Sequence, residues 1–153
     1  MKKITDYLKV ETVNLNLEAK DKKAVLKELF EQLQNSSEIT DKSKCYEDLL
    51  EREKLGSTGI GEGFAIPHAK SDFVKELIMT VGISKNPIEY DAVDGKPVNI
   101  FFMFLSPNEL SQEYLILLAK ISRFIREPNF KSELLSAKSK EEIAEILLSK
   151  EED

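Results

Sequence analysis

Residues 98–105 read VNIFFMFL. The run is short, almost unbroken in its apolarity, and rich in β-branched and aromatic residues. Such a segment reads as a strand covered on both faces. Two more segments, Phe64–Ile66 and Leu77–Ile83, have the same character, and Asp94-Gly95-Lys96-Pro97 supplies a turn between Leu77–Ile83 and Val98–Leu105. A sheet buried on both faces needs a layer on each side, and the rest of the chain provides helices to make them. Residues 22–34 place Val25, Leu26, Leu29, Phe30 and Leu33 on one helical stripe, and residues 42–53 do the same with Cys45, Tyr46, Leu49 and Leu50 behind a Thr40 or Asp41 cap. Residues 112–126 carry Tyr114, Leu117, Leu118, Ile121, Phe124 and Ile125. Pro128 suits the first turn of a further helix with Phe130, Leu134 and Leu135, and Ser139 with Glu142 forms a capping box before Ile143, Ile146 and Leu147. Residues 11–17 alternate Val13, Leu15 and Leu17 with polar neighbours, which predicts one more strand with a single buried face. The expected fold is α/β: one domain over residues 1–153, a mixed β-sheet flanked by helices on both faces.

The composition narrows the function classes. A chain of 153 residues fits one domain and needs no disulfide or metal to hold it. Its net charge of −6 argues against nucleic-acid binding, which requires a clustered basic face. A lone cysteine, Cys45, excludes an internal disulfide framework and points to a reducing, cytoplasmic compartment. One cysteine and one histidine do not make a usual zinc cluster, so no metal is expected. The beginning, MKKITDYLKVE, has no apolar core of a targeting leader, and Ile100–Leu105 is far too short to cross a bilayer.

The single histidine, His68, lies in GEGFAIPHAKSD, residues 61–72. A lone imidazole is often structural, but this one follows Pro67 at the end of an apolar strand, where site residues commonly sit. Gly59, Gly61 and Gly63 do not make a dinucleotide fingerprint, because a helix precedes them and a strand follows; an ordinary flexible turn is the plainer reading. No GxSxG elbow or GxxxxGK[ST] loop is present. An imidazole can itself be a nucleophile that takes up and hands on a phosphoryl group. On residue chemistry, His68 is therefore either a phosphoryl carrier or a structural imidazole. Arg52, ending its helix just before the glycines, has the planar fork that matches phosphate oxygens, though a helix C-terminus favours an arginine in any case. Ser57 and Thr58 are hydroxyl donors in the same loop, or simply turn residues. Cys45 and Tyr114 both fall on apolar stripes, which predicts core positions, and Lys150-Glu151-Glu152-Asp153 reads as a frayed tail.

The run from Arg52 to Ala69, with its pattern RE…ST.IG.G.AIPH, strongly resembles the enzyme IIA component of the bacterial sugar phosphotransferase system, in the fructose/mannitol class that includes the nitrogen-regulatory paralogues. The segments DAVDGKPVNIFFMFLSP and LLSAKSKEEIAEIL extend the resemblance along nearly the whole chain. The resemblance implies a single α/β domain whose histidine, here His68, accepts a phosphoryl group from HPr and passes it to a cysteine of an enzyme IIB, without a cofactor. It implies that Arg52 supports the phosphate and that Ser57, Thr58 and the residue at 114 shape its pocket. Many family members carry a second histidine where this chain has Tyr114, and a phenol donates a hydrogen bond but bears no positive charge. The IIB partner is expected at the membrane in some systems, self-association is expected to be weak at most, and a regulatory module that reports its phosphorylation by binding target proteins is the alternative role.

Overall fold

The computed structural model describes residues 2–152. β5 (Val98–Ser106) is the axis of the fold. On one side β4 (Ile78–Ile88) runs antiparallel to it, with Thr80 opposite Met103. On the other side lie β2 (Phe64–Ala65) and β3 (His68–Lys70), both parallel to β5, with Phe64 opposite Ile100 and His68 opposite Phe104. These two short strands follow one line, broken at Ile66-Pro67. Proline has no N–H for a ladder, but the Pro67 carbonyl still accepts from Phe104 N at 3.1 Å, so the line continues to His68.

Alternation along β5 sends its side chains to two separate cores. Ile100, Phe102 and Phe104 pack with α1 (Ile4–Tyr7), α4 (Ser111–Ile125), α5 (Phe130–Ser136) and α6 (Lys140–Glu152). Phe101, Met103 and Leu105 pack with α2 (Lys22–Leu33) and α3 (Lys42–Lys54). All six β5 residues are fully buried, which is why the sequence there lacks a polar face. The expected arrangement, a mixed sheet between two helical layers, is the one observed.

The helices begin where their caps predict. Asp21 Oδ1 accepts Ala24 N–H at 2.8 Å and Asp41 Oδ1 accepts Lys44 N–H at 3.1 Å, so Asp41 rather than Thr40 caps α3. Ser139 accepts Glu142 N–H at 3.1 Å, while the Glu142 carboxylate returns to Lys138 N–H at 3.0 Å, one residue before the position a strict capping box uses.

Four local expectations are corrected. Residues 11–17 are not a regular strand: Val10–Thr12 is a 3-10 turn, and the chain then meets β4 only intermittently, through Asn14 N–H to Val81 O at 3.0 Å and Leu17 N–H to Ile83 O at 2.9 Å. Val13 and Leu17 are buried as the alternation predicts, but the backbone follows the edge of β4 without a continuous ladder. The glycine stretch is not a loose turn. β1 (Gly59–Gly61) pairs antiparallel with β2, and Glu62 and Gly63 make the turn with φ of 58° and 85°, the left-handed pair a tight hairpin needs. α5 starts at Phe130 behind Asn129, whose φ is 73°, so Pro128 lies before the helix and not in its first turn. The C-terminal residues are tied down: Glu151 accepts from the Ile4 N–H and from Lys120 at 2.7 Å, and Lys150 donates to Glu133 at 3.0 Å. Asp153 lies outside the described residues.

Candidate active site

His68 opens β3 on the α4 side of the sheet and is 6% exposed. Its ring stacks on Phe104, with centroids 5.3 Å apart and planes 15° apart, because the two residues are register partners in neighbouring parallel strands. Tyr114 from α4 meets the imidazole edge-on at 5.5 Å and Phe104 at 5.4 Å. Two aromatic walls thus fix the plane of the ring.

The backbone fixes its protons. His68 Nδ1 is hydrogen-bonded to the carbonyl of Ile66, two residues earlier. A carbonyl only accepts, so the proton sits on Nδ1, and Nε2 carries the lone pair. Burial lowers the pKa of His68; the Ile66 carbonyl opposes that shift, the Arg52 charge adds to it, and the Glu53 charge opposes it. The net direction is down, so the neutral, nucleophilic form persists below the usual imidazole value.

A pH experiment follows. The unfolded chain takes up the proton near the ordinary histidine pKa of about 6.5, while the folded chain resists it. The stability tied to His68 is therefore present above that value and is lost as pH falls toward the lower folded pKa. Because the chain has one histidine, a single imidazole resonance reports the titration by NMR. Its midpoint is expected below 6.5; a midpoint at or above that value contradicts the burial argument.

Arg52 lies in the last turn of α3, where its Nη1 donates to Gly56 O at 3.0 Å. Its charge reaches both His68 and Tyr114. The Tyr114 phenol is pushed up by burial and held back by the guanidinium. Lys70 lies over the Tyr114 ring at 5.1 Å to the centroid. One cation, Arg52, thus acts on the imidazole and a second, Lys70, lies over the neighbouring Tyr114 ring, on a protein whose net charge is −6.

Thr58 and Ser57 are near this site but already committed. Thr58 Oγ1 donates to Glu53 Oε1 at 2.6 Å, and Thr58 N–H donates to Glu53 Oε2 at 2.8 Å. Ser57 Oγ accepts Gly59 N–H at 3.1 Å, a local turn bond. Cys45 is fully buried beside α2, and burial pushes its thiol pKa up, which suits a small core residue and not a reactive thiolate.

Sequence reasoning missed the group that organises this loop. Glu53 is 7% exposed, and beyond the two bonds from Thr58 it accepts from Tyr90 OH at 3.1 Å and pairs with Lys22 Nζ at 3.0 Å. From there a chain of contacts reaches the imidazole: Thr58 O accepts Ile66 N–H at 2.9 Å, and Ile66 O holds His68 Nδ1. Glu53 stood beside Arg52 in the sequence, but Lys22 and Tyr90 are remote from it and only folding brings them there. Phe104 carried no signal beyond its strand. Gly59 needs to be small for the same loop, since a Cβ there would sit 2.8 Å from the Ala92 Cα.

Comparison with known proteins shows the family. The family model for the phosphoenolpyruvate-dependent sugar phosphotransferase system, EIIA 2, matches residues 6–150. The chain belongs to this EIIA family. It is therefore a phosphotransferase component, built on the family's single domain. It is 34% identical to the fructose-specific EIIABC component of Bacillus subtilis over 95% of its own length, and it spans 23% of that longer protein. It is 36% identical to the nitrogen regulatory protein homolog of Haemophilus influenzae, covering 94% of this chain and 90% of that one. The crystal structure of nitrogen regulatory protein IIA-Ntr from Neisseria meningitidis superposes with a TM-score of 0.88 at 33% identity, over 94% of this chain and 98% of that one. In the complex of enzyme IIA mannitol with phosphorylated enzyme IIB mannitol from Escherichia coli, the matched chain shares the fold at 18% identity, with a TM-score of 0.78 over 91% of this chain and 95% of that one. Among the described residues, no helix is long and apolar enough to cross a membrane, and no three His, Cys, Asp or Glu side chains are grouped to hold a metal.

Proposed function

We propose that Nε2 of His68 accepts a phosphoryl group from the phosphohistidine of HPr and passes it to the active cysteine of an enzyme IIB, so that sugar uptake is driven by phosphoenolpyruvate. The observation that carries this reading is the Nδ1 contact to the Ile66 carbonyl, which leaves Nε2 as the nucleophile. In the first step the N–P bond to Nε2 forms as the donor's N–P bond breaks, and the donor imidazole leaves with its electron pair. The His68 ring gains positive character, which the Ile66 carbonyl stabilises through the Nδ1 proton. Arg52 is the group that meets the charge spread over the three transferring oxygens. In the second step a IIB thiolate attacks the same phosphorus: the S–P bond forms as the Nε2–P bond breaks, its electron pair returns to Nε2, and the neutral imidazole is restored. No cofactor enters either step.

Exposed leucines next to the site support protein partners over a small substrate. Leu115, beside Tyr114, is 61% exposed, and Leu55, just beyond Arg52, is 85% exposed. With HPr as donor, the proposal places the chain in the cytoplasm. The test is reconstitution with phosphoenolpyruvate, enzyme I and HPr, where an acid-labile, base-stable phosphoprotein is expected; an unlabelled protein under conditions that label a known carrier rejects the reading.

A second role on the same chemistry is favoured by one observation: the chain is 36% identical to the Haemophilus influenzae nitrogen regulatory homolog and superposes on nitrogen regulatory protein IIA-Ntr with a TM-score of 0.88 at 33% identity, against 0.78 at 18% for the mannitol chain. In that role the phosphorylation state of His68 governs binding to target proteins. Adding a purified IIB separates the two, since only the uptake role moves the label onto a cysteine.

Tyr114 tests how the site is tuned. Its hydroxyl offers one donor and no charge, whereas an imidazole there adds a second titratable cation. Tyr114→His is expected to change the rate of phosphorylation by roughly 10-fold or more through charge at the transferring oxygens. An unchanged rate at pH 6 and pH 8 removes position 114 from the mechanism.

A further inference from the structure

A cavity with a basic wall lies at the other end of β5. Between the β1–β2 hairpin, the turn before β5 and the junction of α4 with α5 there is a cavity of about 690 Å³, whose wall includes Phe64, Lys96, Asn99, Arg126 and Lys131. Phe64 faces Ile100 and His68 faces Phe104 in the β5 register, so four residues of strand, roughly 13 Å, separate the cavity from the imidazole.

Three features make this cavity unlike the rest of the surface. The first is charge. Lys96, Arg126 and Lys131 all line it, and among the described residues none of the three is in an ion pair. Three cations outside any ion pair around one concavity stand out on a chain of net charge −6; the Asp94 carboxylate, which accepts the Lys96 and Glu62 backbone N–H groups, offsets part of the Lys96 charge and leaves Arg126 and Lys131 as the main attraction for an anion. Of the two carboxylates on the wall, Glu127 is drawn to Lys150 at 3.6 Å, which leaves Glu62. The second feature is fit. Gly63 adopts φ of 85°, and a Cβ there would meet Lys131 Nζ at 2.5 Å. The missing side chain is what lets the ammonium rest against the hairpin. The third is the complement of neutral groups. Asn99 donates its amide N–H to Ser84 O at 3.0 Å, so its Oδ1 remains an acceptor on the cavity side, near Gly63, and Asn129 adds a second amide.

We propose that this cavity binds a small phosphomonoester that carries hydroxyl groups, with Arg126, Lys131 and Lys96 on the phosphate and Glu62, Asn99 and Asn129 on the hydroxyls. Arginine and lysine together provide the fork and the point charges that a dianionic phosphate takes up. The carboxylate and amides disfavour a bare polyanion and favour a ligand with donors beside its phosphate. The inference is independent of phosphoryl transfer at His68.

The probe is glycerol 3-phosphate, titrated into the full chain while amide resonances are followed by NMR. Saturable shifts are expected at Gly63, Asn99 and Lys131, with a Kd of about 1 mM or tighter, and they are expected unchanged in His68→Ala. The double variant Arg126→Gln, Lys131→Gln, whose sites are on the surface, is expected to keep the remaining spectrum and to weaken binding at least 10-fold. Inorganic phosphate is expected to bind several-fold more weakly and glycerol not at all. Linear, non-saturating shifts, shifts confined to the His68 face, equal affinity for inorganic phosphate, or undiminished binding by the double variant each overturn the proposal.

Discussion

His68→Ala is expected to carry no phosphoryl label after incubation with phosphoenolpyruvate, enzyme I and HPr. The chain has no other imidazole to take the group, so the loss is expected on the order of 10³-fold or more in rate, the scale seen when a nucleophile is removed. Alanine also empties a site that is 6% exposed and walled by Phe104 and Tyr114, so lost label alone does not separate chemistry from packing. His68→Gln keeps most of the side-chain volume and a hydrogen-bonding head, but its amide is no nucleophile. It is expected to fold with a native near-ultraviolet spectrum and to remain unlabelled. A labelled His68→Gln protein would falsify the assignment of the acceptor.

Glu53→Ala is expected to cost about 3 kcal/mol of stability, because Thr58 N–H, Thr58 Oγ1 and Tyr90 OH lose their common acceptor inside the protein. Lys22 keeps partial access to water and re-solvates, which holds the loss to that figure. For a domain of this length the thermal midpoint is expected to fall by roughly 10 °C. Glu53→Gln keeps the shape and one acceptor, and is expected to lose about 1 kcal/mol. Function should follow through geometry. Thr58 O holds Ile66 N–H and Ile66 O holds His68 Nδ1, so loosening the loop is expected to slow phosphorylation about 10-fold, the effect of misplacing a reacting group by a fraction of an ångström. A second readout isolates this positioning role from stability. The Glu53 charge raises the His68 pKa, so its removal in either variant is expected to move the imidazole titration further down. A midpoint within about 1 °C of wild type in Glu53→Ala discards the network as a stabiliser; an unmoved titration in Glu53→Gln discards its electrical reach to His68.

How much of this was legible beforehand depends on the range of the interaction. The helix patterns of residues 22–34 and 42–53 and the strand of residues 98–105 appear almost where their periodicity placed them, because burial of a regular element acts on residues three or four apart, or two apart. The stretch 11–17 shows the opposite case. Its alternation was visible, yet its backbone depends on how the edge of β4 bends, which lies some seventy residues away in the chain. The glycines at 59, 61 and 63 were readable as turn-formers, but whether they serve a hairpin or a loop is decided by the partner strand.

The site divides in the same way. The residues on which the proposed chemistry rests, the lone His68, the fork of Arg52 and the motif around them, stand in the sequence, since nucleophilicity and charge belong to single side chains and a local motif. The resemblance built on that motif named the family to which the chain belongs. What the sequence could not reveal is which ring nitrogen is free and what holds the ring. The Ile66 carbonyl sets the tautomer, Phe104 and Tyr114 set the plane, and Glu53 gathers Thr58, Tyr90 and Lys22 from three parts of the chain. Each of these is a contact at hydrogen-bond or van der Waals range between residues that folding alone makes neighbours. Residue identity supplied the one imidazole on which the proposed transfer rests; tertiary structure decided which of its ring nitrogens is left free, because hydrogen-bond direction and ring packing exist only once the strands are in register.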